Sequence, residues 1–178
     1  MEGAVKVLLL SLYPEKIEHI IKDNGDEVTI LRNQWVLAED FDFIISYGWP
    51  LIIPPRTIKQ FGTRIINIHI GYLPWGRGAD PNFWSWHDNT PKGVTIHQMD
   101  EGIDTGPILY RRSLSAVGHQ TLKSSYEELH NFAIELFGSR WRIIREHGIT
   151  PFAQTGESTS HKKKDLEAIW HHFPLGWD

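Results

Sequence analysis

The sequence predicts a doubly wound α/β fold around a mostly parallel sheet. Three observations carry this expectation. Short apolar runs alternate with helically spaced ones through the first 70 residues. Gly, Pro and Asn punctuate the changes of period. Strands that alternate with helices are joined by crossovers, and crossovers build parallel sheets.

Val5 to Leu10 reads as a fully buried strand. No basic stretch precedes it and no small-residue cleavage site follows it, so a first strand is expected rather than a signal peptide. Pro14 to Asn24 sets Ile17, Ile20 and Ile21 at helical spacing, and Asn24-Gly25 stops it. Glu27 to Leu31 is a second strand. Phe41 to Ser46 is a third, ended by Tyr47-Gly48. Pro54-Pro55 opens a short helix through about Phe61, and Arg64 to His69 is a fourth strand. Gly71 to Asp80 is a loop. Pro81 to His87 is helical, closed by Asp88-Asn89. Lys92 to Met99 and Pro107 to Ser115 are further strands. Thr121 to about His147 is the longest helix, with Tyr126, Leu129, Phe132, Ala133, Leu136, Phe137, Trp141, Ile143 and Ile144 on its apolar face. Thr121 or Ser124 caps it, and Gly148 ends it. The tail, 150–178, is irregular apart from a short helix over Lys163 to His171. The chain, 1–178, is expected to form one domain without internal repeats.

Composition excludes several classes. Hydrophobic residues make up 40% and charged residues 22%, the balance of a soluble globular protein. No apolar run approaches the roughly 18 residues that span a bilayer, so no membrane partner is expected. A net charge of -4 argues against a nucleic-acid partner. The absence of cysteine excludes disulfides and thiolate metal sites, and it fits the reducing cytoplasm expected as the location. His69, His87, His97, His119 and His130 follow no ligand spacing, and His171-His172 is an adjacent pair, so no metal is expected. The basic cluster His161 to Lys164 is either a solvated helix start or a contact for an anionic ligand. Trp75, Trp84 and Trp86 crowd one stretch, and Trp170 and Trp177 lie near the end. Most are expected in packing, with one or two facing a flat ligand as the alternative.

Asn67 and His69 lie at the carboxyl end of a predicted buried strand. In open α/β sheets that edge is where ligands bind. Strand alternation puts both side chains on one face, with Ile68 on the other. They are either a mutually satisfied polar pair or part of a site. Asp100, Glu101 and Asp104 occupy a Gly-punctuated turn between two predicted strands. Such carboxylates cap their own turn, or one of them is held at the sheet edge beside a histidine, as acid–base chemistry near neutral pH requires.

Asn67-Ile-His-Ile-Gly-Tyr-Leu-Pro-Trp-Gly-Arg-Gly78, followed by Gly93-Val-Thr-Ile-His-Gln-Met-Asp-Glu-Gly-Ile-Asp-Thr-Gly-Pro-Ile-Leu109, closely resembles the folate-dependent formyltransferases. That family acts on methionyl-tRNA, glycinamide ribonucleotide and nucleotide-linked amino sugars. Its pattern is Asn-x-His, then Leu-Pro and Arg-Gly, then an Asp-x-Gly-x-Asp-x-Gly turn about 35 residues later. The strong match runs from Tyr47 to Leu109, and Gln154 to Lys164 resembles the segment that closes the family's catalytic domain. Arg77 to Trp86 and Ser160 to Glu167 look most like the sugar branch.

The resemblance implies a Rossmann-like catalytic domain and 10-formyltetrahydrofolate as co-substrate. It places the catalytic trio on Asn67, His69 and Asp104. It implies folate contacts, mostly through main chain, at Tyr47, Gly48, Trp49, Leu51, Asp100, Gly102 and Ile103. Arg77, Gly78 and Lys163 are the implied acceptor contacts, with the Arg77 guanidinium gripping phosphate oxygens; its other reading is a pairing with Asp80 or a backbone carbonyl. The expected partners are small-molecule substrates, and a homodimer is allowed. Only 46 residues precede Tyr47, and no Gly-rich loop follows Leu10, so the amino-terminal side reads as truncated relative to the family. Four functions stay open: transfer to a nucleotide-linked amino sugar, transfer to another amine, hydrolysis of the formyl-folate, and a non-catalytic relic of the fold.

Overall fold

The computed structural model describes residues 3–34, 40–115 and 121–172. Trp177 and His119, singled out above, lie outside these residues. Among the described residues the strands are β1 (Lys6–Ser11), β2 (Glu27–Leu31), β3 (Phe43–Tyr47), β4 (Ile65–His69), β5 (Arg77–Gly78), β6 (Lys92–Gln98), β7 (Ile108–Leu114) and β8 (Ser160–His161). The helices are α1 (Glu18–Asp23), α2 (Pro55–Phe61), α3 (Pro81–His87), α4 (Leu122–Arg145) and α5 (Lys163–Ile169). The main sheet runs β2-β1-β3-β4-β6-β7. Its first four strands are parallel. β6 and β7 close it as an antiparallel pair. Strands β5 and β8, in segments read from sequence as loop and irregular tail, form a separate parallel pair.

β1, β3 and β4 are apolar at successive positions because both faces of the sheet are covered. On one face Val7, Leu9, Phe43, Ile45, Ile66, Ile68, Val94 and Ile96 pack against α1 and α4. On the other, Leu8, Leu10, Ile44 and Ile65 pack with Ile53 and Phe61 near α2. This second layer changes character along the strands. Leu8, Ile44 and Ile65 share one cross-strand row; the next row is Leu10, Ser46, Asn67 and His97. The apolar layer therefore gives way to polar side chains at the carboxyl edge of β3 and β4.

Helix α4 starts with a capping box in which the Thr121 hydroxyl accepts from the Ser124 amide and Ser124 Oγ accepts from the Thr121 amide. It ends in paired hydrogen bonds, Gly148 N to Ile143 O and His147 N to Ile144 O. The left-handed residue of that stop is His147, at φ 54°, and not the expected Gly148. The His147 ring stacks on Phe43, a contact no glycine could make. Leu129, Ala133, Leu136, Phe137, Trp141 and Ile144 are buried as expected, whereas Ile143 and Tyr126 are each 36% exposed. Ile143 lies two positions past Trp141, off the buried stripe.

The carboxyl end of α4 is tied to the sheet by one buried acid. Asp26 accepts from Val5 N, from Trp141 Nε1 and from the Arg145 guanidinium. Removing one partner of a buried ion pair strands the other. Asp26→Ala is expected to lower the unfolding free energy by about 3–5 kcal/mol. Urea denaturation checks this, and a loss no larger than that of an exposed Asp→Ala control would show that the cluster does not hold the helix.

Candidate active site

The polar row at the sheet edge converges on one carboxylate. Asp104 lies in the turn after β6 and its side chain is 12% exposed. Asn67 Nδ2 donates to its Oδ1 at 3.1 Å. The Gly78 amide donates to Oδ2 at 2.9 Å. His69 Nδ1 stands 3.7 Å from Oδ2, and His97 Nε2 lies 3.3 Å from Oδ1. Burial alone would raise the Asp104 pKa. The histidine rings and the Gly78 amide outweigh it and hold the carboxyl well below the usual carboxylate range. Asp104 is ionised inside the protein.

The two histidines are fixed from behind. His69 Nε2 donates to the Gly76 carbonyl at 2.7 Å, and His97 Nδ1 donates to the Gln98 carbonyl at 2.8 Å. Each thus turns its other nitrogen towards Asp104. The His69 ring also needs a bare backbone beside it, since a Cβ on Gly71 would stand 2.5 Å from Nε2.

His97 was not singled out from the sequence as a site residue. The antiparallel register of β6 on β4 sets it directly across from Asn67. Its signal is the alternation Val94, Thr95, Ile96, His97, which puts Thr95 and His97 on the polar face. Gln154 was also missed. Its Nε2 donates to the carbonyls of Asp104 and Gly106, and its Oε1 accepts from Arg77 Nε and NH2. Among the described residues Arg77 pairs with Gln154, and not with Asp80 or a backbone carbonyl. The Nε–NH2 edge of its guanidinium is committed to that amide. Gly78 reaches Asp104 through its amide, and a Cβ there would strike the His161 carbonyl.

The implied folate contacts divide by side chain. Asp100 caps its own turn, accepting from Gly102 N and Thr105 Oγ1, while Asp104 alone of the three acids is held inside. Leu51 and Ile103 are exposed, as is Ile52 between Leu51 and the buried Ile53. Among the described residues no turn hydrogen bond engages the amides of Leu51, Ile52 or Ile103. Exposed apolar side chains beside unengaged amides suit a flat heterocycle that presents donors and acceptors on its edge. Trp49 packs into the α2-side layer with its indole N–H buried and unpartnered. Gly48 turns the chain at φ 61° against the Tyr13 ring. The Tyr47 side chain is buried in the α4-side layer, so only its backbone is available on the α2 side. Among the described residues no group of three or more His, Asp or Glu could hold a metal ion, and no helix is long and apolar enough to cross a membrane.

A cleft of about 330 Å³ opens immediately past His69. Ile70, Asp80, Pro81, Phe83, Leu122 and Tyr126 line it. Burial raises the Asp80 carboxyl against the pull of Lys163, which places that lysine within electrostatic reach of the cleft. Behind Tyr126, the Tyr47 hydroxyl donates to His130 Nδ1, and the Tyr126 ring stands edge-on to His130 at 4.4 Å.

A mostly parallel sheet that carries an Asn/His/Asp cluster on its carboxyl edge, beside a Gly-punctuated turn, has the architecture of a formyl-transfer domain. The chain belongs to the formyl transferase family, whose pattern matches residues 31–140, more than half of it. It is 39% identical to the formyltransferase PseJ from Anoxybacillus kamchatkensis, crystallised with UDP-4,6-dideoxy-4-formamido-L-AltNAc and tetrahydrofolate; the two superpose with a TM-score of 0.92 over 97% of this chain and 94% of that one. It is 30% identical to a dTDP-4-amino-4,6-dideoxyglucose formyltransferase from Mycobacterium bovis, over 75% of this chain and 56% of the relative. The chain thus spans about half the length of the curated relatives it matches. A sugar N-formyltransferase from a Shewanella species shares the fold at 22% identity, with a TM-score of 0.81 over 93% of this chain and 79% of that one.

His130 generates a prediction about stability. Burial chiefly, and the Lys16 charge after it, push its imidazole from the ordinary 6.5 down to about 4. Folding selects the neutral ring, so its contribution is complete above about pH 6.5 and is lost as the pH falls towards 4. His130→Gln can still accept from Tyr47 but does not gain charge, and it is expected to flatten that acid-side loss. Thermal midpoints across this pH range check it; equal acid sensitivity in both proteins would remove His130 as the source.

Proposed function

We propose that this chain transfers a formyl group from 10-formyltetrahydrofolate to the primary amine of a nucleotide-linked amino sugar, with Asn67, His69 and Asp104 as the catalytic residues. The observation that carries the reading is the convergence of Asn67 and His69 on the buried, ionised Asp104. The amine attacks the formyl carbon, and the oxyanion so formed is stabilised by preorganised donors. Asn67 Nδ2 supplies one. His69 supplies the other from Nδ1, because Nε2 is held by the Gly76 carbonyl. The 3.7 Å between Nδ1 and Asp104 leaves this edge of the ring less tightly engaged than the other. Asp104 orients the ring and balances its charge in the protonated form. The proton leaving the amine is relayed through this group to the departing folate nitrogen, so that formamide and tetrahydrofolate are the products.

The folate lies against the loop from Tyr47 to Leu51 and the turn from Asp100 to Ile103. The acceptor enters by the cleft beyond Ile70, with its phosphates towards Lys163. The relatives named above support a sugar carrying its amine at C4. The primary test incubates the protein with formyl donor and a panel of amino-sugar nucleotides, including the UDP-linked 4-amino sugar that corresponds to the PseJ formamide. Mass spectrometry should show the gain of one formyl group. Formate release with no acceptor modified would reject transfer in favour of hydrolysis.

Asn67→Ala, His69→Ala and Asp104→Ala should each leave a folded protein and lower kcat by about 100 to 1000-fold. The triple variant should be far less damaged than the product of the three single losses. Full multiplication of those losses would show that the residues act independently.

Lys163→Ala should raise the acceptor KM by about tenfold, the equivalent of one charged contact of roughly 1.4 kcal/mol, and leave the folate KM unchanged. Equal KM for the nucleotide sugar in both proteins would reject the contact.

A further inference from the structure

Asp104 is held in the left-handed region, at φ 53°, which costs a residue with a Cβ roughly 1–2 kcal/mol. Its surroundings must therefore impose the conformation. The side chain that meets this turn comes from the far end of the chain. Gln154 Nε2 donates to the Asp104 carbonyl at 2.9 Å and to the Gly106 carbonyl at 2.8 Å. Its Oε1 receives Arg77 Nε at 3.1 Å and NH2 at 2.8 Å. The amide is saturated in one orientation only. Flipping it would set oxygen against two carbonyls and N–H against the guanidinium.

The arrangement closes on itself. Arg77 precedes Gly78, whose amide donates to the Asp104 carboxylate. Gly76, one residue earlier, accepts from His69. Residues 76–78 thus touch His69, Asp104 and Gln154 at once. They are pinned in turn by the tail, through Gly76 N to Thr159 Oγ1, Arg77 N to Thr159 O and the β5–β8 pairing.

We propose that Gln154 is a positioning residue: locked in one orientation by Arg77, it fixes the backbone of Asp104 and so the placing of its carboxylate against Asn67 and His69. The inference rests on the reading that Asp104 serves formyl transfer. It assigns Arg77 to the same device rather than to substrate phosphate.

Gln154→Glu tests it with little change of shape. A glutamate keeps the acceptor for Arg77 but turns an oxygen towards two carbonyls. It should lower kcat by about 10 to 100-fold, the scale of a misplaced catalytic group, with acceptor and folate KM unchanged. Arg77→Ala should do the same in smaller degree. On an Asp104→Asn background, Gln154→Glu should add no further loss. A rise in acceptor KM at constant kcat in either single variant, or losses that multiply in the double variant, would overturn the proposal and return these residues to the acceptor pocket. A readout free of substrate separates this from failure of the proposed activity. The ring-nitrogen NMR signals of His69 and His97 should shift in Gln154→Glu as they do in Asp104→Asn, and unchanged signals would equally overturn it. If wild type formylates no acceptor while these signals shift, the function is wrong and the positioning stands.

Discussion

An ionised carboxylate withdrawn from water has to be surrounded by donors, or it costs several kcal/mol. Asp104 gathers its polar neighbours from three strands: Asn67 and the His69 ring on β4, His97 on β6, and the amide of Gly78 on β5. Each contributor is set by something else. Asn67 and His69 share a face by strand alternation. His97 faces Asn67 by antiparallel register. Gly78 arrives because β5 pairs with β8. The turn that carries Asp104 is as constrained as its partners, for a Cβ on Gly106 would run into the Gln98 carbonyl. The cluster is therefore a consequence of the sheet edge, the loop after β4 and the tail together.

The mixed character of the sheet matters here. Had β6 continued the parallel series, its carboxyl end would have lain beside that of β4. Running antiparallel, it instead starts near His69 and ends near Ile65, so the turn leaving it would begin too deep to reach the edge. The turn solves this by doubling back. Met99 N bonds to Ile65 O and Gln98 N to Pro107 O, and the residues between them bring Asp104 up over Asn67. A left-handed residue in that ascent is a local strain that the hydrogen bonds of Asp104 offset.

Much of this was legible in residue order, and what was not has a physical reason. The β1, β3 and β4 runs, the Pro-opened α2 and α3, and the Thr121–Ser124 cap are local, and local signals sit in adjacent residues. Asn67 and His69 stood out because a buried strand seldom carries two polar side chains on one face. Asp104 could be told from Asp100 and Glu101 only by resemblance, since composition gives three equivalent acids, while in space one caps its turn and one is enclosed. His97 and Gln154 depend on strand register and on contacts about 50 residues apart, which periodicity does not encode. Arg77 reads as a phosphate ligand because a loop guanidinium beside glycines has that chemistry; its bond to Gln154, in the tail, lies beyond what residue order shows. His147 took the left-handed position beside an available Gly148 because its ring is stacked on Phe43.

In the proposed reaction the folate and the acceptor approach one strand, β4, from opposite faces, and this constrains how the two can meet. The loop after β3 and the turn after β6 flank Asn67 on the α2 side, where Leu51 and Ile103 stand exposed. The cleft past β4 begins at Ile70, whose side chain packs with the α4-side layer. In the proposed reaction the amine must come round the end of β4, beside Gly71, to reach His69. That passage is lined by glycine for steric cause: a Cβ on Gly71 would press on His69 Nε2 at 2.5 Å and on the Gly76 carbonyl at 3.1 Å. A side chain at residue 71 would therefore narrow the junction and break the hydrogen bond that fixes the His69 ring. The two demands, an open path and an oriented imidazole, fall on one residue, which ties the meeting point of the substrates to the geometry of the group that acts on them.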